Sequence, residues 1–310
     1  MAKQGGDLIL ADLKNITQFL ANTGKRKLAL EVIDHFASRA IEPFQFKDVA
    51  DAYFYSFEFD RSLEFFELIL KSNITADQKT EIFLNIANIH LIKNNPSESL
   101  NILKNLPDMP EVIRLRRDAK LMQHELSFVT DTGYWISDIT EKHQFCIELA
   151  DWLSSFLNKN KRIYDFGCGL GSYLNHLQKN NFIDLVGYEG VVPKNKVFDN
   201  IIAQDLTKKF VVEKKSNVIC LEVGEHVPPK YQNIFLDNIT EACDDILILS
   251  WAVNGQTGLF HVNCLENDEV IQEVEKRGFV FLNDETLSAR NCIKENCDWF
   301  KNTILIFKKK

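Results

Sequence analysis

Two kinds of hydrophobic spacing divide the sequence. Through the first third, to about Glu125, apolar residues recur at helical intervals, interrupted by short polar turns and by a single proline before Asn95. Residues 127–137, with Thr130, Asp131, Thr132, Gly133, Tyr134 and Trp135, follow neither period and mark a boundary. An amphipathic stretch over 140–157, carrying Phe145, Ile147, Leu149, Trp152, Leu153 and Phe156, predicts a helix that leads into the second part of the chain. Beyond it, short apolar runs predict strands at 162–166, 184–188, 200–203, 217–222, 246–251, 279–282 and 303–307. Helices are expected between them, up to Lys179 and over 230–243 and 268–277. Such alternation means a parallel sheet covered on both faces. The expected organisation is a helical domain over 1–126, a linker over 127–139 and an α/β domain over 140–310.

The helical third repeats itself. A small residue and aromatics close one helix over 49–59, a polar turn follows, and Ser62-Leu63 opens the next; the layout returns at 86–100 and, more weakly, at 19–30. Leu30, Leu63 and Leu100 are thereby 33 and 37 residues apart. The period and the residues resemble the tetratricopeptide repeat, in which stacked helix pairs bury a shared core. The repeat's tryptophan is absent, and two turns lack the usual glycine.

Composition narrows the classes. With 310 residues, 45% hydrophobic and 26% charged, the chain is an ordinary globular one, with 23 phenylalanines. Lys and Arg number 16 against 18 Asp and Glu in residues 1–126, and 20 against 26 thereafter, within a net charge of −8. Neither part has the basic excess of a nucleic-acid binder, so none is expected as partner. No run of 18 apolar residues occurs, and residues 1–7 are polar, so no membrane span or leader is expected. Seven cysteines form no CxxC pair, which reads as reduced thiols and a cytoplasmic compartment. The absence of HxxH and CxxC spacing leaves no metal site expected.

The chemistry gathers in 161–174. Glycines at 167, 169 and 171 fall where a strand must turn sharply into a helix, and Asp165 ends the strand before them. A dinucleotide fingerprint spaces its glycines GxGxxG, whereas these fall GxGxG, and the acidic residue favours a ligand with a cationic end. Three further acids sit at successive strand ends: Glu189, 22 residues after Gly167; Asp205, followed by Leu206; and Glu222, which opens Glu222-Val223-Gly224-Glu225-His226-Val227. In an open α/β sheet the carboxyl ends of these strands converge on one crevice.

Residues 162–307 resemble the class I S-adenosylmethionine (SAM)-dependent methyltransferases, in particular members with an EHV-type segment after the fourth strand. The resemblance implies a seven-stranded Rossmann-like sheet ordered 3-2-1-4-5-7-6, with the last strand antiparallel. It implies SAM as cofactor, with Asp165, Gly167 and Gly169 at its methionine end and Glu189 on the ribose. Asp205 and Leu206 would lie at adenine and Glu222 near the donor methyl, with Cys168, Gly171, Gly190 and Val223 completing the cofactor site.

Methyl transfer asks the protein mainly to position an acceptor and take up a proton. Candidates are His226, Glu225 and His261, the last in the polar loop 250–263, which holds Gly255 and Gly258. Each has a plainer reading: His226 as a hydrogen-bonder at a turn, Glu225 as a cap for the helix after Pro229, and His261 as a loop stabiliser. Tyr134 and Trp135 can line the mouth, Trp299 and Phe300 are expected to pack under the sheet edge, and Arg290 to be solvated. The expected function is methyl transfer to a small-molecule, sugar or glycan-linked acceptor. The alternatives are a protein methyltransferase whose repeats recruit the substrate, and a non-catalytic scaffold.

Overall fold

The computed structural model describes residues 13–21, 25–136, 144–256, 258–294 and 296–310. The chain divides into two compact units, Met1–His124 and Glu125–Lys310.

The first unit is helical: residues 13–21, then α1 (Arg26–Ala37), α2 (Pro43–Tyr55), α3 (Phe59–Leu70), α4 (Ala76–Ile92), α5 (Pro96–Leu103) and α6 (Pro110–Leu126). The sequence repeat has a backbone counterpart. At three turns an N–H bonds the carbonyl five residues back: Lys25 to Leu20, Glu58 to Tyr53 and Asn95 to His90, at 2.8, 2.9 and 2.7 Å. This is the long bond of a Schellman-type helix ending, which needs a left-handed residue beside it. Phe57 and Asn94 adopt that conformation, with φ of +63° and +55°, where glycine would do so without strain. The small residues Ala29, Ser62 and Ser99, which follow each turn at the same offset, are completely buried, so the helices can approach closely. The Ser62 hydroxyl donates to the Ala50 carbonyl at 2.8 Å across one such contact.

The second unit opens with a tight turn in which Thr130 N–H bonds the Tyr134 carbonyl and Ile136 N–H the Phe128 carbonyl. The α/β body then runs α7 (Ile147–Phe156), β1 (Ile163–Phe166), α8 (Ser172–Lys179), β2 (Leu185–Glu189), β3 (Ile201–Ala203), β4 (Ser216–Cys220), α9 (Gln232–Glu241), β5 (Cys243–Ser250), α10 (Asn267–Glu275), β6 (Phe279–Phe281), α11 (Asn283–Cys292), α12 (Phe300–Thr303) and β7 (Ile304–Lys309). Its seven strands are ordered β3-β2-β1-β4-β5-β7-β6. β1 to β5 pair in parallel, and β7 runs antiparallel between β5 and β6. This is the expected class I methyltransferase arrangement.

Alternate residues of each strand feed two cores. Ile163, Ile219, Ile248 and Ile306 pack with Leu149, Leu153, Leu174, Leu177 and Ala289 of α7, α8 and α11. Tyr164, Val218, Leu247 and Phe307 pack with Phe235, Ile239, Val270 and Val274 of α9 and α10.

Three local expectations change. The helix expected over 140–157 begins at Ile147, with residues 144–146 non-helical and 140–143 outside the described residues. Cys146 ends the approach, its N–H donating to the Tyr173 hydroxyl at 3.2 Å. α11 occupies a stretch where no helix was expected. β4 stops at Cys220 rather than Glu222, because Glu222 takes a left-handed φ of +53° that no strand accommodates.

Candidate active site

The crevice lies where the sheet order reverses, between the carboxyl ends of β1 and β4, the place such folds use for ligands. The turn out of β1 shapes its floor. Gly167 has φ of +77°, and the Gly167 and Cys168 N–H groups both donate to the Tyr188 carbonyl, at 2.8 and 3.1 Å. A Cβ on Gly167 would sit 2.4 Å from the Val223 side chain, so only glycine lets the β1 and β4 loops meet. A Cβ on Gly190 would sit 2.4 Å from Tyr134, whose ring closes another wall.

The resulting cavity is about 730 Å³, within the range of small-molecule pockets. Its lining includes Asp165, Gly167, Cys168, Gly169, Glu189, Gly190, Asp205, Leu206, Glu222 and Val223, and, toward the β4 and β5 loops, Glu225, His226 and His261. Gly171 is the exception among the expected cofactor residues. It lies outside the lining and caps α8 with φ of +78°, where a Cβ would strike the Phe198 side chain at 2.6 Å; its requirement for glycine is a packing one. Trp299 and Phe300 line the cavity rather than only packing under the sheet edge. Arg290, expected to be solvated, is half-buried away from the cavity and donates to the Ile304 carbonyl at 2.9 Å. Gln256, not singled out in the sequence, lines the cavity and donates to Glu222 Oε2 at 2.7 Å.

Five carboxylates face this space, and among the described residues no Lys or Arg lines it. Asp165 is 3% exposed, and its Oδ2 has no hydrogen-bond partner. Burial first, and the neighbouring Glu189 second, push its pKa up to about 8. Glu189 is better served: Oε2 accepts from Gly169 N–H and Oε1 from Gly190 N–H, both at 2.8 Å, so it ties the β1 and β2 loops together. Burial raises its pKa while these two amides hold it down. Asp205 folds back on its own turn, Oδ1 accepting from the N–H and hydroxyl of Thr207 at 2.9 and 2.6 Å, while Oδ2 has the Lys208 ammonium 3.5 Å away. Leu206 is buried in the core beside it.

The acceptor side is built from two loops. Val262 and Asn263 N–H groups both donate to the Glu225 carbonyl, at 2.9 and 3.0 Å, and stitch the β4 loop to the β5 loop. His226 Nδ1 lies 3.1 Å from the Phe260 carbonyl, and His261 Nδ1 lies 3.0 Å from the Gln256 carbonyl. A carbonyl can only accept, so both rings carry their proton on Nδ1 and their lone pair on Nε2. Burial, with His261 adding to it, lowers the His226 pKa to about 3, and burial lowers that of His261. The rings meet edge-on with centroids 5.1 Å apart, and Trp135 stands edge-on to His226 at 6.5 Å.

Glu225 does not cap the following helix, since neither of its carboxylate oxygens has a hydrogen-bond partner and it is fully buried. Burial and the nearby Glu222 drive its pKa well above the usual range. One ligand-capable atom from each of Glu225, His226 and His261 lies within 4.8 Å of the others. Read for HxxH and CxxC spacing, the sequence offers no reason to expect this grouping. Sequence-spacing rules see ligands on one helix or knuckle, whereas here two loops 35 residues apart supply them. Backbone strain marks both loops, at Glu222 and at Phe260 with φ of +61°.

No protein-family model matches this sequence, and no curated protein does. Among solved structures it is similar to magnesium protoporphyrin IX methyltransferase from Synechocystis with bound SAM, at 14% identity over 77% of this chain and 100% of that one, TM-score 0.40. It is also similar to 1,6-didemethyltoxoflavin-N1-methyltransferase from Burkholderia thailandensis, at 12% identity over 66% and 92% of the two chains, TM-score 0.42. A third similar structure is the [4+2]-cyclase SpnF, at 14% identity over 61% and 91%, TM-score 0.39.

Proposed function

We propose that the chain is a SAM-dependent methyltransferase acting on a small-molecule, sugar or glycan-linked acceptor. The observation that carries the reading is the acidic lining of the cavity: a buried, unpartnered Asp165 oxygen among five carboxyl groups, with no lining cation among the described residues. Such a space repels a pyrophosphate and suits a ligand with an ammonium and a sulfonium. The class I resemblance supplies the orientation. Asp165 pairs the ammonium of the methionine end, and the Gly167–Gly169 turn approaches its backbone. Glu189 receives the ribose hydroxyls, each of its oxygens keeping a lone pair beyond the amide it already accepts. Asp205 and Leu206 border adenine, and Glu222 and Val223 border the donor methyl.

Transfer is an in-line displacement: the acceptor's lone pair forms the new bond to carbon as the sulfonium–carbon bond breaks, its electron pair staying on sulfur. His226 and His261, each with its lone pair on Nε2, are the groups proposed to handle the acceptor's proton, directly or through what they bind. The helical unit is read as tetratricopeptide-like, on the repeated turn bond and the buried small residues, and the cytoplasm remains the proposed compartment for a chain whose seven cysteines are all free. The test is thermal stabilisation by S-adenosylhomocysteine, following the mass-action term for a ligand of the folded state. The wild type is expected to shift and Asp165→Asn and Glu189→Ala to lose most of the shift; an unshifted wild type overturns the proposal.

A further inference from the structure

We infer that Glu225, His226 and His261 form a binding site for one divalent first-row transition-metal ion, set on the acceptor side of the cavity. The inference rests on the methyltransferase reading only for the ion's use, not for its binding.

Three observations converge on it. Candidate ligand atoms from the three residues lie within 4.8 Å of one another, all in the cavity lining. Metal bonds of about 2.0–2.2 Å place ligand atoms about 3–3.5 Å apart, so a small rotamer adjustment closes the set on an ion. Next, Glu225 is fully buried and neither carboxylate oxygen has a hydrogen-bond partner, the amides of Glu225 and Ala252 offsetting only part of the cost of burial. A cation is the partner that both oxygens lack. Last, each histidine donates Nδ1–H to a backbone carbonyl, Phe260 for His226 and Gln256 for His261. That is the outer support metal-bound histidines show, fixing the tautomer and the ring plane and putting the lone pair on Nε2.

Glycines pack closely against both histidines. A Cβ on Gly258 would sit 2.0 Å from His261 Nε2, so only glycine lets the loop backbone pack this closely on the ring. A Cβ on Gly133 would sit 2.0 Å from the His226 carbonyl oxygen. Glu222 is committed elsewhere, to Gln256 at 2.7 Å and the Thr303 hydroxyl at 3.3 Å, and supplies negative charge next to the set rather than a ligand.

Two imidazoles and one carboxylate select a borderline ion such as Mn²⁺, Fe²⁺, Co²⁺ or Zn²⁺ over Mg²⁺ or Ca²⁺, which prefer all-oxygen cages. Three protein ligands leave a coordination position open toward the cavity, the pattern of catalytic rather than structural sites. The acceptor class this implies is a hydroxyl. An ion bound there draws its oxygen in and lowers the energy of its deprotonated form, the proton passing to solvent or a neighbouring base before the oxygen takes the methyl from sulfur.

The full-length protein, stripped with chelator and dialysed against Mn²⁺, Co²⁺ or Mg²⁺ in turn, tests this by elemental analysis and, for Co²⁺, by visible absorption. One Mn²⁺ or Co²⁺ per chain is expected, with little Mg²⁺ retained, and a Co²⁺ d–d band showing nitrogen ligation. Glu225→Gln and His261→Ala are each expected to weaken Co²⁺ binding at least tenfold while S-adenosylhomocysteine still stabilises both variants, which certifies that they fold. A wild type that retains no Mn²⁺ or Co²⁺, or variants that bind it as the wild type does, overturns the inference. Loss of the S-adenosylhomocysteine shift in the wild type would instead overturn the cofactor reading and leave the metal result standing.

Discussion

Asp165→Asn isolates the charge assigned to the cofactor's ammonium. The Asp165 carboxyl faces Glu189, with the thiols of Cys168 and Cys220 and the Tyr173 hydroxyl near enough to feel it, and no cation among the described lining residues. Its pKa, raised from 3.8 to about 8, means the proton is still on at pH 7. A cationic ligand pairs with the ionised form, so binding must expel that proton. Well below pH 8 each pH unit then costs about 1.4 kcal/mol of affinity, and binding at pH 6 should be about 50-fold weaker than at pH 8, where the carboxyl is half ionised. Above about 8 the ligand's own α-amino group begins to lose its charge, so affinity peaks there. The same shift acts on folding. A carboxyl whose folded pKa is raised contributes stability that is complete below about pH 4 and is eroded as pH climbs toward 8. Calorimetric titration with S-adenosylhomocysteine, run at pH 6 and 8 in buffers of different ionisation enthalpy, reads affinity and proton release together. Wild type should release close to one proton at pH 6. Asp165→Asn should release none, show a flat pH dependence, and bind about 10- to 100-fold more weakly at pH 8, the worth of a charged hydrogen bond of about 1.5–3 kcal/mol. Equal affinity at pH 6 and 8 without proton release would refute the reasoning, and so would an Asn variant that binds like the wild type.

Other perturbations test the same contacts. Glu189→Gln exchanges a carboxylate that accepts two backbone amides at 2.8 Å for an amide that can satisfy one; a stability loss of about 1.5–3 kcal/mol is expected in calorimetric unfolding, together with weakened cofactor binding. Gly190→Ala drives a methyl into Tyr134, so it should lower the melting temperature by several degrees, and Tyr134→Ala in the same chain should restore part of it; independent, additive losses would contradict the contact. Gly258→Ala, aimed at the His261 ring, should reduce methyl transfer more than tenfold while leaving the S-adenosylhomocysteine affinity within twofold. A chain lacking residues 1–124 should bind cofactor unchanged, since every residue lining the cavity comes from position 132 onward, and loss of binding would contradict that independence.

The sheet was legible because each strand end announces itself. Asp165 before a glycine turn, and Glu189 and Asp205 after short apolar runs, locate the carboxyl edge, and the order of strands follows from the resemblance they carry. The structure brings these acids together around one cavity. What sequence missed has physical causes. α11 reads Asn-Asp-Glu-Thr-Leu-Ser-Ala-Arg-Asn-Cys, too polar to show a face, and is held by a few residues such as Ala289 and Thr286. The end of β4 was placed too late because apolar pattern cannot reveal that Glu222 leaves the strand with a positive φ. Gly171 looks like its neighbours in sequence, and only the packing of Phe198 against it separates a packing glycine from those that line the cavity. The grouping of Glu225 and His226 with His261 depends on two amides reaching the Glu225 carbonyl from the next loop, a register no spacing rule encodes.

The most direct test of the central claim is transfer itself: purified protein incubated with SAM labelled in its methyl group and with lysate fractions separated into small metabolites, glycans, proteins and nucleic acids. Label is expected to enter the small-metabolite or glycan fraction, and Asp165→Asn and Glu189→Ala to abolish it. Label that enters none of the four fractions, in a protein that S-adenosylhomocysteine also fails to stabilise, would contradict the claim.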